Sequence, residues 1–328
     1  MITDVPGVLV GHHERVGPGW ATGTTVVLVP DGATGAVDQR GGAPGTRETN
    51  LLEPENLVRR VNAVCLSGGS AYGLAAADGV MRWLEERKLG YPVGAEPHEV
   101  VPIVPAAVIF DLPRSEWGNR PDASFGYAAC EVAASGPVAE GTVGAGAGAK
   151  AGSLKGGVGS ASEVVDGFTV GALAVVNAAG EAVRLSTGEP FAADHGDFGL
   201  TWPGRPGEVP APRTDLNTII GVVAVDAALS KAECRRLAVG AQDGVARAVR
   251  PAHTMFDGDT VFALATGARE LPADEGPFGT AMRAAALDVL CSAAARVFAR
   301  AMVRGVLAAT GIPGLPAYRD VWPEAFDR

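Results

Sequence analysis

The dipeptide Asn217-Thr218 stands where a proline-rich stretch ends and an apolar run begins. If the chain is cut between the two, Thr218 becomes an N-terminus whose α-amine sits beside its own hydroxyl. Such an amine has an unperturbed pKa of about 7.7–8.0, so it can act as general base near neutral pH while the hydroxyl acts as nucleophile, with no histidine needed. The competing reading is structural, since threonine is a good β-former at any strand start. Other segments suit chemistry less well. The glycine-rich run Gly141–Ser162 invites a phosphate loop, but Lys150 is followed by Ala151 where that pattern requires Ser or Thr, and no dinucleotide fingerprint follows a clear strand. A wall allowing close backbone approach fits it better. Gly68-Gly69-Ser70-Ala71-Tyr72 resembles a nucleophile elbow, yet Tyr72 occupies the place of the second glycine, so Ser70 reads as a helix cap. His12, His13, His98, His195 and His253 show neither H-E-x-x-H nor Cys/His pairing at metal spacing, so no metal and no cofactor is expected. His253 lies just before an acidic motif and either orients catalytic groups or serves as a capping turn residue.

The elements that must position these residues follow from periodicity. Gly23–Pro30 and Asn62–Leu66 are short β-branched runs bounded by turn residues, hence strands. Tyr72–Arg87 changes to helical spacing, with Leu74, Ala77, Met81 and Leu84 on one face. Val164–Val176 and Glu181–Leu185 flank an Asn-Ala-Ala-Gly turn and read as a hairpin with Asn177 at its tip. Glu189–Asp215, with Pro190, Pro203, Pro206, Pro210 and Pro212, reads as an exposed, flexible linker. Thr218–Asp226 is too short and too apolar for anything but a strand buried on both faces. Ser230 and Glu233 form a capping box that starts a helix to about Val249. Thr260–Thr266 is another buried strand, and Gly276–Ala309 a helix with a break in it. Runs of strands with helices in pairs predict an α/β fold, a two-sheet α/β/β/α sandwich.

Composition narrows the function. The chain has 328 residues, 47% apolar and 20% charged, which suits one large domain or two small ones. A net charge of −10 without a basic stripe argues against nucleic acid. No membrane span is expected, because Ala284–Leu307 carries Asp288, Arg296, Arg300 and Arg304 at helical spacing. The N-terminal MITDVPGVLVGH lacks a secretion pattern, and Cys65, Cys130, Cys234 and Cys291 are scattered singly, so a cytoplasmic protein with reduced, buried thiols is expected.

Along nearly the whole chain, ITDVPGVLVGH, CLSGGSAYGL, GPVAEGTVGAGAGAKAGSLKGGVGSAS, VGALAVVN, NTIIGVVAVDAAL and RPAHTMFDGDTVFALATG resemble the DmpA-type L-aminopeptidase/D-esterase family (peptidase family S58), in its actinobacterial branch with a threonine nucleophile. The resemblance implies the four-layer α/β/β/α, N-terminal-nucleophile-like fold shared with ornithine acetyltransferase. It also implies one catalytic domain, 1–328, autocleaved into associated fragments 1–217 and 218–328, and assembly into homotetramers or larger. It makes Thr218 the nucleophile, Asn177 the oxyanion donor, and Asp257-Gly258-Asp259 the triplet that orients nucleophile and amine. Asp257 stands where the family has serine. Read without the family, the acidic pair is an exposed turn. The expected reaction is hydrolysis of small peptides, amides or esters through an acyl-threonine; the alternatives are acyl transfer and an uncleaved small-molecule binding protein. The family's amine-recognising acid aligns with Val104–Asp111, an apolar stretch in which only Asp111 could substitute, so weak activity on free aminoacyl amides is expected.

Overall fold

The computed structural model describes residues 1–210, 216–273, 276 and 278–327. Nine strands form one hydrogen-bonded sheet: β1 (Leu9–Gly17), β2 (Trp20–Gln39), β3 (Thr46–Arg47), β4 (Arg60–Ser67), β5 (Ala106–Val108), β6 (Val158–Val165), β7 (Phe168–Val175), β8 (Ile220–Ala227) and β9 (Thr260–Arg269). Their order is β6-β7-β8-β9-β2-β4-β5-β3, with β1 beside the first half of β2. Only β8–β9 and β4–β5 run parallel.

The sheet folds over on itself along β2. The sequence pattern ends that strand at Pro30, but the strand runs on, and its register with β4 shifts between Leu28 and Ala33 where Pro30, Asp31 and Gly32 intervene. An unpaired bulge of this kind bends a strand and adds twist. The first half of β2 therefore pairs with β1 and the second half with β9.

Side-chain alternation then builds three apolar layers. Val27 of β2 and Val64 of β4 face Leu173, Val222 and Phe262 of β7, β8 and β9, filling the space between the two sheet halves. Val26 and Cys65 point the other way, onto α1 (Ala76–Glu86) and α2 (Ala123–Glu131). Ala172, Val223 and Val261 point outward to α3 (Lys231–Ala248) and α4 (Gly279–Ala308). The result is the expected α/β/β/α sandwich. Strands buried on both faces are uniformly apolar, which is why β8 reads as IGVVAVDA with no polar alternation.

Local expectations met the structure unevenly. The capping box of α3 is present, with Ser230 Oγ accepting from the Glu233 N–H and Glu233 accepting from the Ser230 N–H. The hairpin is displaced: β7 pairs with β6 around Asp166-Gly167, both with positive φ, and Val183-Arg184 pairs instead with Glu189-Pro190. A two-residue turn with both residues left-handed matches strand twist, so Asp-Gly takes precedence over Asn-Ala-Ala-Gly. Asn177 thus follows the end of β7 rather than capping a hairpin. The helix α4 is unbroken over 30 residues, and it holds no proline. Gly69, with φ 86, precedes the 3-10 turn beginning at Ser70, which caps nothing with its side chain.

The linker is less exposed than its prolines suggested. Ala192 is buried, Leu200 and Trp202 pack on the α3–α4 core, and only its last residues, 211–215 with Pro212 and Asp215, lie outside the described residues. Trp322, behind the short helix α5 (Tyr318–Val321), anchors this stretch: its ring is fully buried, meets Gly188 and Gly207, and donates Nε1–H to Arg205 O at 3.3 Å. Trp322→Ala is expected to lower stability by about 3–5 kcal/mol in urea denaturation. Leu57→Ala, at a site 79% exposed, should change it by less than about 0.5 kcal/mol. Equal midpoints for the two would refute the anchor.

Candidate active site

Three chain segments converge at one edge of the β7–β8–β9 unit. In the parallel register, Ile220 is opposite Thr260, so the residues just before β8 lie beside those just before β9. Antiparallel pairing of Val175 with Ile220 brings the end of β7 to the same place. Asn177, Asn217-Thr218 and Asp257-Gly258-Asp259 meet there, and all five of the non-glycine residues are buried.

The backbone locks them together. Asn217 N–H donates to Phe256 O at 3.0 Å, Thr218 N–H to Asn177 O at 2.7 Å, and Thr260 N–H to Ile219 O at 2.9 Å. The Thr218 hydroxyl donates to the carbonyl oxygen of Asn217, across the very peptide link that precedes it. Asn177 is held by its acceptor end: Lys150 N–H donates to Oδ1 at 2.9 Å, which assigns the amide orientation. Its donor end, Nδ2, is buried with no hydrogen-bond partner among the described residues. A buried donor left without a partner ordinarily costs about 1–3 kcal/mol.

Neither carboxylate sits in an exposed turn. Asp257 Oδ2 accepts from the Thr254 N–H at 2.8 Å and hydroxyl at 2.6 Å, and Oδ1 accepts from Ala179 N–H at 3.2 Å. It thereby ties the segment after Asn177 to the start of β9. Asp259 Oδ1 accepts from Ile219 N–H at 2.8 Å, immediately beyond the threonine, and Oδ2 accepts from His253. Burial holds Asp259 above the usual carboxylate range; the His253 and Ile219 hydrogen bonds oppose that rise and the charge of Asp257 adds to it. Gly258 separates the acids because a Cβ there would lie 2.3 Å from Ala43 O.

The glycine-rich run forms the wall behind Asn177. A Cβ on Gly156 would fall 1.9 Å from Val176 O, so only glycine lets this strand approach the residue before Asn177. Lys155 within it is fully buried and donates Nζ–H to Gly146 O and Gly156 O, each at 2.7 Å. Burial lowers its pKa to about 7 against the opposing charge of Asp111.

Asp111 makes its contacts apart from the threonine. It is buried, with Oδ2 accepting from the Thr22 hydroxyl at 2.6 Å and Oδ1 from Gly69 N–H at 2.7 Å. Burial pushes it up to about 6, against these bonds and the Lys155 charge. The preceding stretch alternates between core layers, Val104 and Ala106 toward α1 and Ala107 and Ile109 between the sheet halves. Lys150, Thr254 and Ala179 escaped the sequence reading because each acts through backbone N–H, wholly or partly, and no residue type signals that. Among the described residues no group of three or more His, Cys, Asp or Glu could hold a metal ion, and no helix is long and apolar enough to cross a membrane.

Comparison with known proteins agrees with this architecture. A family model described as Peptidase family S58 matches residues 1–318. An aminopeptidase of Mycobacterium tuberculosis (strain ATCC 25618 / H37Rv), itself uncharacterized, is 55% identical over 99% of this chain and 98% of its own. A 6-aminohexanoate-oligomer endohydrolase of Paenarthrobacter ureafaciens is 33% identical over 83% of this chain and 77% of its own. Among solved structures, the L-aminopeptidase D-Ala-esterase/amidase from Ochrobactrum anthropi, described as a variant of the Ntn hydrolase fold, superposes with a TM-score of 0.71 at 25% identity, covering 96% of this chain and 89% of that one. With a family match across nearly all of its length and a relative at this identity, the chain belongs to peptidase family S58 and is a hydrolase.

Proposed function

We propose that the protein is an autoprocessing N-terminal-nucleophile amidase of the S58 type, cut between Asn217 and Thr218 and working through Thr218. The observation that carries this reading is the Thr218 hydroxyl lying on the Asn217 carbonyl next to the unpartnered, buried amide of Asn177. In the precursor, Thr218 Oγ1 attacks the Asn217 carbonyl carbon, and the oxyanion takes a hydrogen bond from Asn177 Nδ2. The C–N bond then breaks, the nitrogen keeps the proton lost by the hydroxyl, and an Asn217 ester on Thr218 remains. Water hydrolyses that ester, leaving a carboxylate on Asn217 and a free amine on Thr218. In turnover the freed amine accepts the hydroxyl proton, the substrate carbonyl receives the attack, and the proton passes to the leaving amine or alcohol. Water then releases the acid from the acyl-threonine. Asp257 and Asp259 orient the nucleophile through the backbone they hold at Ala179 and Ile219.

The fragments would remain one body. Strands β8 and β9 of 218–328 lie between β7 and β2 of 1–217, so separating the fragments would strip two sheet edges and a shared core. Size-exclusion chromatography should show them eluting together, with any tetramer or larger assembly visible in the same run. Denaturing electrophoresis should resolve 1–217 from 218–328, the smaller beginning at Thr218; a single full-length band after prolonged incubation would reject autoprocessing.

Thr218→Ala should remain folded and uncut, whereas Thr218→Ser, which keeps a hydroxyl, should still be cut, more slowly. Asn177→Ala should slow both cleavage and turnover by about 10²- to 10³-fold, the usual loss for one oxyanion donor. Wild-type rates in Asn177→Ala would remove it from the mechanism.

The activities named for these two relatives differ in what they ask of a substrate amine: an aminopeptidase works at a free N-terminus, an endohydrolase within an oligomer. The resemblance puts the family's amine-recognising acid within 104–111, and there the side chains of 104–109 are packed in the core and both oxygens of Asp111 are engaged, which supports a substrate whose acyl side is uncharged, since an unpaired ammonium loses hydration uncompensated. N-acetyl-L-alanine p-nitroanilide should therefore be hydrolysed faster than L-alanine p-nitroanilide; the reverse order would show that another group receives the amine.

A further inference from the structure

Asp259, the acid just before β9, is itself held by a residue outside the mechanism above. Asp259 Oδ2 receives two donors from one residue, the His253 N–H at 3.2 Å and its ring Nδ1 at 2.7 Å. With Asp259 as the carboxylate, which only accepts, the contact assigns the proton to Nδ1. His253 has φ 56, in the left-handed region that few non-glycine residues adopt. Among the described residues its ring caps no backbone: the other ring nitrogen, Nε2, is buried and has no hydrogen-bond partner there. The polar contact that explains the placement of the ring is Asp259.

We propose that His253 is a positioning residue for the Thr218 nucleophile, acting through Asp259. The imidazole and its own N–H fork onto Oδ2 and fix the carboxylate plane. Fixed in that plane, Oδ1 holds the Ile219 N–H at 2.8 Å, and with it the backbone immediately after Thr218. A carboxylate free to rotate about its side-chain bonds would let Ile219, and so the Thr218 hydroxyl, drift from the Asn217 carbonyl. A misplacement of this kind near 1 Å can cost a reaction up to about a hundred-fold. The inference rests on the reading of Thr218 as nucleophile, and the two fail differently: an uncut wild-type chain removes that reading, while a cut wild type with indifferent His253 variants removes only this one.

Two substitutions separate the backbone from the ring. His253→Gly accepts the left-handed conformation and removes the side-chain donor; His253→Asn also tolerates it and returns an N–H donor near the place of Nδ1. Cleavage of freshly made precursor, followed over time in a cell-free translation, and kcat and KM on whichever alanine p-nitroanilide the wild type hydrolyses faster, give the readouts. In His253→Gly, cleavage and kcat should fall by about ten- to a hundred-fold with KM within about two-fold, and His253→Asn should recover most of the loss. In an Asp259→Asn background, His253→Gly should add little, because both lie on one path. Wild-type cleavage in His253→Gly, an Asn variant as slow as the Gly variant, or multiplicative losses with Asp259→Asn would each overturn the proposal. Should His253→Gly fail to fold by its thermal transition, the comparison of His253→Asn with His253→Phe decides: equal rates overturn it, and a slow Phe variant beside a fast Asn variant supports it.

Discussion

The parallel pairing of β8 with β9 is the constraint on which the rest of the molecule turns. Its register, Ile220 opposite Thr260, determines which residues before each strand become neighbours. A shift by one residue would exchange the inward and outward faces of every side chain in β8, placing Val223 where Val222 packs against the other half of the sheet. The apolar cores on both faces therefore police the register. Because the register is policed, Ile219 meets Asp259 and Asn217 meets Asp257 without any specific attraction having to find them.

A buried active site adds a second demand, that its polar groups be satisfied until they are needed. Asp257 and Asp259 meet it by accepting from Thr254, Ala179, Ile219 and His253, so each costly buried carboxylate doubles as a clamp between segments. Asn177 meets the demand on one side only, through the Lys150 N–H. In the proposed mechanism its Nδ2, unpaired among the described residues, is the donor for an oxygen that gains charge only during reaction. Rigid support behind the amide matters for the same reason, and the Gly156 approach to Val176 with the Lys155 ammonium on Gly146 and Gly156 supplies it.

Continuity of the folded sheet has a consequence for a chain that is cut. The Asn217-Thr218 link lies between strands from both prospective fragments, and β2, bent at its bulge, contributes to both layers. Breaking that one bond leaves every neighbouring strand pair and the inter-sheet core in place, so the geometry of the precursor can become that of the product with little rearrangement.

By itself the sequence determined what depends on local pattern. The apolar runs 220–225 of β8 and 261–265 of β9, the capping box at Ser230 and the placement of Asn217-Thr218 before a buried strand are legible because burial on two faces, helix capping and proline runs each leave a mark within ten residues. The family motifs added the candidates Asn177, Asp257 and Asp259. What only the tertiary structure decided depends on partners distant in the chain. The passage of β2 through Pro30, the true hairpin at Asp166-Gly167 and the packing of the proline-rich stretch under Trp322 arise from pairing and burial that no local window contains. Likewise the acidic pair reads as an exposed turn in the sequence and lies buried in the fold, and Asp111 reads as an available carboxylate yet has both oxygens engaged by Thr22 and Gly69. A residue's type announces which hydrogen bonds it can make; only the fold determines which of them are already made.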